Sequence, residues 1–252
     1  MKAIIMAAGK GTRLFDEEHP CPKVLRQANG RPLLAYVLDT IRDLPNDDIV
    51  IVVKHMEQEI RRAFPERHFV TQGDDGYGTG YAVRCAIDGS SLKNYDGEIL
   101  ILSGDAPCTK KETIEAMLHM HRQTGAACTL LSCRSKRPLP FGRIIRDAAG
   151  EVVAIKEHKD CTEEERKIDE LNVALYIFNG KELRNALAQL DNHNAAGEYY
   201  ITDVPAILLR KGLAVKGYIT EDEEEMWGVN TVEDLRQVEN ILRARQSAAN
   251  QS

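Results

Sequence analysis

The chain has 252 residues, 33 Lys and Arg against 39 Asp and Glu for a net charge of −6, with 43% hydrophobic and 29% charged residues. That composition is ordinary for a folded protein and excludes disordered, collagen-like and disulfide-scaffold classes. An acidic chain also lacks the basic surface on which nonspecific nucleic-acid or anionic-membrane binding rests, so neither partner is expected. Cys21, Cys85, Cys108, Cys128, Cys133 and Cys161 are scattered without a C-x-x-C pair or a histidine at zinc-site spacing, which predicts reduced thiols. Apolar runs at 3–8 and 49–53 are too short to span a bilayer, and Gly9, Lys10 and Arg13 interrupt any signal-peptide core. The expected location is the cytoplasm.

In chain order, strand-like runs stand at 3–6, 49–53, 68–71 and 98–102, with helical periodicity at 33–42, 56–64, 80–87 and 111–123 between them. Strand alternating with helix at this spacing predicts a doubly wound sheet whose parallel strands are buried and apolar. After Pro138 the texture changes. Segments 142–146 and 151–156 flank Asp147-Ala148-Ala149-Gly150, a hairpin signal. A strand is expected at 171–178, helices near 181–190 and 201–211, a strand at 213–219 and a last helix at 232–248. The acidic run Glu221–Glu225 reads as a solvated loop. No repeat or low-complexity linker divides the chain, which predicts one α/β domain over 1–252: a Rossmann-like, doubly wound mixed sheet with a β-rich insertion. Residues 1–137 would form a nucleotide-binding half and 138–230 a sugar-binding half, with 231–252 a terminal helix and tail.

The first strand runs into Ala7-Ala8-Gly9-Lys10-Gly11-Thr12-Arg13-Leu14. Glycines directly after a first parallel strand let backbone N–H groups approach a phosphate, and nearby cations neutralise it. Neither the P-loop pattern nor G-x-G-x-x-G is present, since Leu14 stands where the third glycine belongs. Lys2, Lys10, Arg13, Lys23, Arg26 and Arg31 oppose only Asp16, Glu17 and Glu18 over residues 1–31, a cationic segment in an acidic chain. That distribution suits a polyanionic ligand at the carboxyl end of a strand.

The series A-A-G-K-G-T-R with Pro22-Lys23, Gly78-Thr79-Gly80, Ser103-Gly104-Asp105-Ala106-Pro107, Phe141-Gly142-Arg143-Ile144, Glu157-His158-Lys159-Asp160, Glu170-Leu171-Asn172, Gly197-Glu198-Tyr199-Tyr200-Ile201-Thr202-Asp203 and Gly228-Val229-Asn230 resembles the sugar-1-phosphate nucleotidyltransferases over residues 3–240. Within them it is most similar to uridylyltransferase domains acting on N-acetylglucosamine 1-phosphate. The resemblance implies catalytic roles for Arg13 and Lys23 and nucleotide contacts from Ala7, Ala8, Gly9, Lys10, Gly11, Thr12, Gln72, Gly78, Thr79, Ser103 and Gly104. It implies sugar contacts from Gly142, Glu157, Asn172, Glu198 and Tyr199, with Mg²⁺ on Asp105 and Asn230. UTP and a sugar 1-phosphate would be the partners. In the family this domain usually precedes a β-helix acetyltransferase, and no hexapeptide repeats follow here, so acetyl-CoA is not an expected partner.

The residue types fit such roles. The Gln72 amide donates and accepts at once, as a pyrimidine edge requires. Tyr77 beside it equally fits a flexible surface loop. Asp105 closes the strongest strand candidate, and one carboxylate plus phosphate oxygens and waters is how Mg²⁺ is usually held. Asn230, alone, would read as the N-cap of the last helix. Glu157 and Asn172, assigned to strands of the second half, offer an acceptor and an amide for sugar hydroxyls or an N-acetyl group. The pattern departs from the family at Tyr81 (usually His), at Ser103 (usually aromatic) and at Val173-Ala174 (usually Thr-Gly). The Val173-Ala174 change, next to Asn172, bears on the sugar side. Another sugar 1-phosphate, a non-catalytic nucleotide-sugar sensor and a dinucleotide-dependent oxidoreductase are the alternatives.

Overall fold

The computed structural model describes residues 1–11, 14 and 20–249. Its elements in chain order are β1 (Lys2–Ala7), a small hairpin of β2 (Gln27–Ala28) and β3 (Arg31–Pro32), α1 (Leu33–Thr40), β4 (Ile49–Val53), α2 (Glu57–Ala63), β5 (His68–Thr71), α3 (Thr79–Asp88), β6 (Glu98–Ser103), α4 (Lys111–Thr124), β7 (Cys128–Arg134), β8 (Arg143–Arg146), β9 (Val152–Lys156), β10 (Glu170–Asn179), α5 (Gly180–Leu187), α6 (Val204–Arg210), β11 (Val215–Thr220) and α7 (Val232–Ala249).

Among the described residues, nine strands make one sheet, whose main path is β11-β7-β10-β6-β1-β4-β5. β1 pairs in parallel with both β4 and β6, and β11 in parallel with β7. β10 runs antiparallel to both of its neighbours, which makes the sheet mixed. The β8–β9 hairpin hangs from β10 through a Leu171–Arg143 pairing. Alternate side chains of β1 enter opposite layers. Ile4 packs with α3, α5 and α6, whereas Ala3 and Ile5 pack with α1, α2 and α4. A third cluster of Leu14, Leu33, Val229, Val238 and Ile241 fastens α7 beside the first turn of α1.

Several expectations change. β7 and the β2–β3 hairpin are strands that the sequence pattern did not signal. Cys128–Arg134 mixes Thr129, Ser132 and Arg134 with its apolar residues and shows no clean alternation, although every residue but Arg134 is buried. β5 is the edge strand, so its His68 and Thr71 are exposed. The segment expected as one helix from 201 begins as a 3₁₀ turn at Ile201–Asp203, and α6 ends at Arg210. Within the acidic run, Glu225 is buried, not solvated. Its carboxylate accepts from the Lys110 N–H at 2.9 Å, Thr113 Oγ1 at 2.8 Å and Thr220 Oγ1 at 2.7 Å, pinning the loop to α4 and β11.

Candidate active site

From β1 the chain moves to β4 and β5 on one side, then returns across β1 to β6 on the other. That reversal leaves a crevice at the carboxyl ends of β1 and β6, the place where open α/β sheets bind ligands. A cavity of about 470 Å³ lies there. Ala7, Ala8, Gly9, Lys10 and Gly11 line it from the end of β1, Ser103 and Asp105 from the end of β6. Lys23, Gln72, Gly78, Thr79 and Glu198 complete the expected residues on its wall. Thr12 and Arg13 lie outside the described residues. Gly104 is packed beneath the cavity, its N–H donating to the Met6 carbonyl at 2.9 Å.

Lys23 stands in a 3₁₀ turn opened by Pro22. Gly11 makes room for it. A Cβ on Gly11 would lie 2.9 Å from Lys23 Cβ, and the glycine's φ of +60° is one that L side chains rarely adopt. The Lys23 ammonium forms an ion pair with the Asp105 carboxylate and donates to Asn230 Oδ1 at 2.8 Å. Asn230 is not the helix N-cap. Thr231 and Asp234 form the capping box, with the Asp234 N–H on Thr231 Oγ1 at 3.1 Å and the Thr231 N–H on Asp234 Oδ2 at 2.9 Å. A hard carboxylate oxygen and a hard amide oxygen therefore converge on one cation-sized point, held now by an ammonium. Ser103 Oγ donates to the other Asp105 oxygen and fixes the carboxylate's rotation. This donor pair fits a hard divalent ion that takes its remaining ligands from phosphates and water. Among the described residues, no three His, Cys, Asp or Glu side chains gather into a protein-only metal cage.

The glycine-rich loop after β5 forms the far wall. Gln72 is buried and extends the sheet, its N–H donating to the Val53 carbonyl at 2.8 Å, while its Nε2 lies 3.5 Å from the Gly76 carbonyl. Gly78 has φ +103° and ψ 168°, a region essentially reserved for glycine. The loop is clamped there by Tyr199, whose N–H donates to the Tyr77 carbonyl and whose carbonyl accepts from the Gly80 N–H, both at 2.8 Å. Thr79 Oγ1 accepts from the Ile201 N–H at 3.0 Å.

Sequence reasoning missed Lys54 and His55 on the cavity wall. The signal was present, because both directly follow β4, a strand adjacent to the reversal point. Hydrogen bonding to Asp74 raises the Lys54 ammonium above its usual range. Burial, with Lys10 and Lys54 close by, lowers the His55 imidazole, which favours its neutral form.

The expected sugar residues are divided. Glu198 lines the first cavity, with its Cβ 2.9 Å from where a Gly78 Cβ would be. Gly142 and Asn172 lie together, the Asn172 N–H donating to the Gly142 carbonyl at 2.9 Å, and they line neither this cavity nor the one around Glu157. The buried Asn172 side chain donates to Tyr176 Oη at 2.7 Å, and its Oδ1 accepts from the Ala174 N–H at 3.3 Å. Here β10 bulges between Asn172 and Tyr176, and Ala174 takes φ +59°. Glu157 is not on a strand but just past β9. It accepts from Thr202 Oγ1 at 2.9 Å and lines a second cavity of about 350 Å³ with Asp160, Asp191 and Asp203. Burial pushes the Glu157 carboxyl up, and the Thr202 hydroxyl opposes that shift. Thr202, quoted within its motif but given no role there, is a third residue that the sequence reading passed over. The Tyr199 ring turns away from the first cavity, against Tyr81 with centroids 6.2 Å apart.

This fold is that of the Rossmann-like nucleotidyltransferases. A structure of UDP-glucose pyrophosphorylase complexed with UDP-glucose superposes with a TM-score of 0.75 at 14% identity, covering 97% of this chain and 98% of that one. The chain belongs to the MobA-like NTP transferase domain family, whose profile matches residues 3–201. Among curated relatives, the bifunctional protein GlmU of Clostridium novyi (strain NT) is 39% identical over 244 residues, 96% of this chain and 52% of that protein. GlmU of Lactococcus lactis subsp. lactis (strain IL1403) is 39% identical with the same coverage. The chain thus spans about half the length of the curated relatives it matches. Among the described residues, no helix is long and apolar enough to cross a membrane.

Proposed function

We propose that the chain transfers a uridylyl group from UTP to N-acetylglucosamine 1-phosphate, giving UDP-N-acetylglucosamine and pyrophosphate. The observation that carries this reading is the convergence of Lys23, Asp105 and Asn230 at the mouth of a cavity also lined by Lys10 and Gln72. Membership of the NTP transferase family supports nucleotidyl transfer, and the ordered motifs that resemble uridylyltransferase domains acting on N-acetylglucosamine 1-phosphate support the choice of nucleotide and sugar.

A phosphate monoester dianion is already a nucleophile, so its oxygen attacks the α-phosphorus in line without a general base. The protein's contribution is positioning and charge neutralisation. Backbone N–H groups of residues 8–11 and the Lys10 side chain receive the triphosphate. Lys23, released from Asp105 as the anionic substrate enters, stabilises the departing pyrophosphate, a role that the resemblance extends to Arg13. Gln72 and the Gly78 backbone read the uracil edge, with Thr79 fixing the loop to Ile201. A divalent ion, by this reading Mg²⁺, would be held by Asp105 and Asn230 and would supply Lewis-acid neutralisation of the reacting phosphates. Residues 138–230 supply the sugar half, with Glu157 and Asn172 as its polar anchors, Gly142 beside them, and Glu198 and Tyr199 joining them to the nucleotide loop.

The test is a pyrophosphate-release panel crossing UTP, dTTP, CTP, ATP and GTP with several sugar 1-phosphates. Release that is greatest for UTP with N-acetylglucosamine 1-phosphate supports the assignment. Preference for a purine nucleotide overturns the base assignment, and no release with any pair overturns the enzyme.

A further inference from the structure

Lys54 is the first residue past β4, and its side chain is only 11% exposed although it ends in a charge. Its ammonium donates to the Gly73 carbonyl at 2.8 Å, pairs with Asp74 Oδ1 at 2.9 Å and lies 4.3 Å from the centroid of the Tyr77 ring. All three partners belong to the single loop 73–78. An ammonium has three donors and no acceptor, and here each is directed at that loop. The loop contains Gly73, Gly76 and Gly78, so its own backbone resists disorder poorly. Its two ends are fixed by backbone bonds, Gln72 to Val53 and Tyr77 to Tyr199. Between them, Gln72 Nε2 lies 3.5 Å from the Gly76 carbonyl and the Tyr81 ring packs beneath Gly76, while Lys54 supplies the charged grip on Gly73, Asp74 and Tyr77.

We propose that Lys54 is a positioning residue that staples the loop 73–78 over the nucleotide cavity and so sets nucleotide affinity and base selectivity. This rests on the nucleotide-site reading above. Lys54 acts through Gln72 and the Gly78 backbone, which face the cavity, and not on the reacting phosphates. The reacting end of the cavity is built from other loops, those carrying Lys23, Asp105 and Asn230. Replacing Lys54 should therefore weaken nucleotide binding and blur discrimination between pyrimidines more than it slows turnover.

A direct phosphate contact by Lys54 makes the opposite forecast for its partner. If Asp74 merely competes with phosphate for the ammonium, neutralising Asp74 tightens binding. If Asp74 is part of the staple, neutralising it loosens the loop and weakens binding. The Asp74 side chain is 95% exposed, so Asp74→Asn leaves the fold intact even where Lys54→Met does not.

The experiment is calorimetric titration of the full chain and its variants with UTP and CTP, beside steady-state KM values. For Lys54→Met we expect Kd for UTP to rise roughly tenfold, in keeping with loss of a partly desolvated cation–π contact and ion pair. The UTP/CTP ratio should shrink by a similar factor, KM for UTP should rise more than kcat falls, and KM for the sugar 1-phosphate should stay in place. Lys54→Arg should restore most of the loss, and Asp74→Asn should weaken UTP binding about two- to fivefold, the scale of an exposed ion pair. Wild-type affinity in folded Lys54→Met, or tighter binding by Asp74→Asn, overturns the inference alone. Failure of the unmodified protein to bind any uridine nucleotide overturns the proposed function, and the inference falls with it.

Discussion

Gly78→Ala tests how the nucleotide loop is built. A Cβ at this position would lie 2.4 Å from the Tyr199 carbonyl oxygen and 2.9 Å from both the Tyr199 nitrogen and Glu198 Cβ. Two of these are backbone atoms, which cannot swing aside like the end of a flexible side chain. The backbone of residue 78 would also have to hold φ +103° and ψ 168°, which costs a residue with a side chain about 1–3 kcal/mol. If the loop moves instead, the paired bonds between Tyr77, Gly80 and Tyr199 are strained or lost, at about 0.5–1.5 kcal/mol each. Either route gives about 1–3 kcal/mol, and the loop lies outside the main core. The cost therefore appears as local loosening, with UTP affinity reduced about five- to hundredfold by calorimetry and Tm lowered only modestly. A Gly78→Ala variant that binds UTP as the parent does would refute both the clamp and the role given to this loop.

Asp105→Asn keeps the size of the side chain but removes the anionic oxygen that faces Lys23. We expect kcat to fall about 10²-fold or more with divalent ion present, and unchanged turnover would remove Asp105 from the metal site. Ala174→Gly relieves a left-handed alanine that costs about 1–2 kcal/mol, against about 0.4–1 kcal/mol of added unfolded-state freedom. Urea denaturation should show a gain of up to about 1.6 kcal/mol, and a clear loss would mean that the methyl's packing outweighs the strain. Burial, with Asp191 and Asp160 nearby, raises Asp203 from 3.8 to about 6. Such a carboxyl favours the fold only while protonated, so its contribution is complete below about pH 4 and is lost as pH rises through about 6. Asp203→Asn should accordingly raise Tm at about pH 7.5 and not at about pH 4; an equal gain at both values would refute the ionisation account.

Apart from β7 and the small β2–β3 hairpin, the alternation of strands and helices was legible along the chain, because hydrophobic periodicity and turn residues are local quantities. β4 and β5 stand where their apolar runs predict them, and the Asp147–Gly150 turn falls between β8 and β9 as its composition requires. The order of motifs was equally legible, since each glycine or carboxylate was read against its neighbours. The tertiary structure alone decided which motifs meet. Sheet order carries β6 to the side of β1, so Asp105 comes beside Lys23, and α7's packing carries Asn230 to the same point from 207 residues away. No local pattern encodes such pairings, because they arise from the burial of whole faces. The same reason explains the misread residues. Glu225 looked solvated among its acidic neighbours, but Thr113 and Thr220 approach it from separate elements and make its burial tolerable. Lys54 drew no reading from the sequence at all, because the loop that it grips begins 19 residues further along the chain.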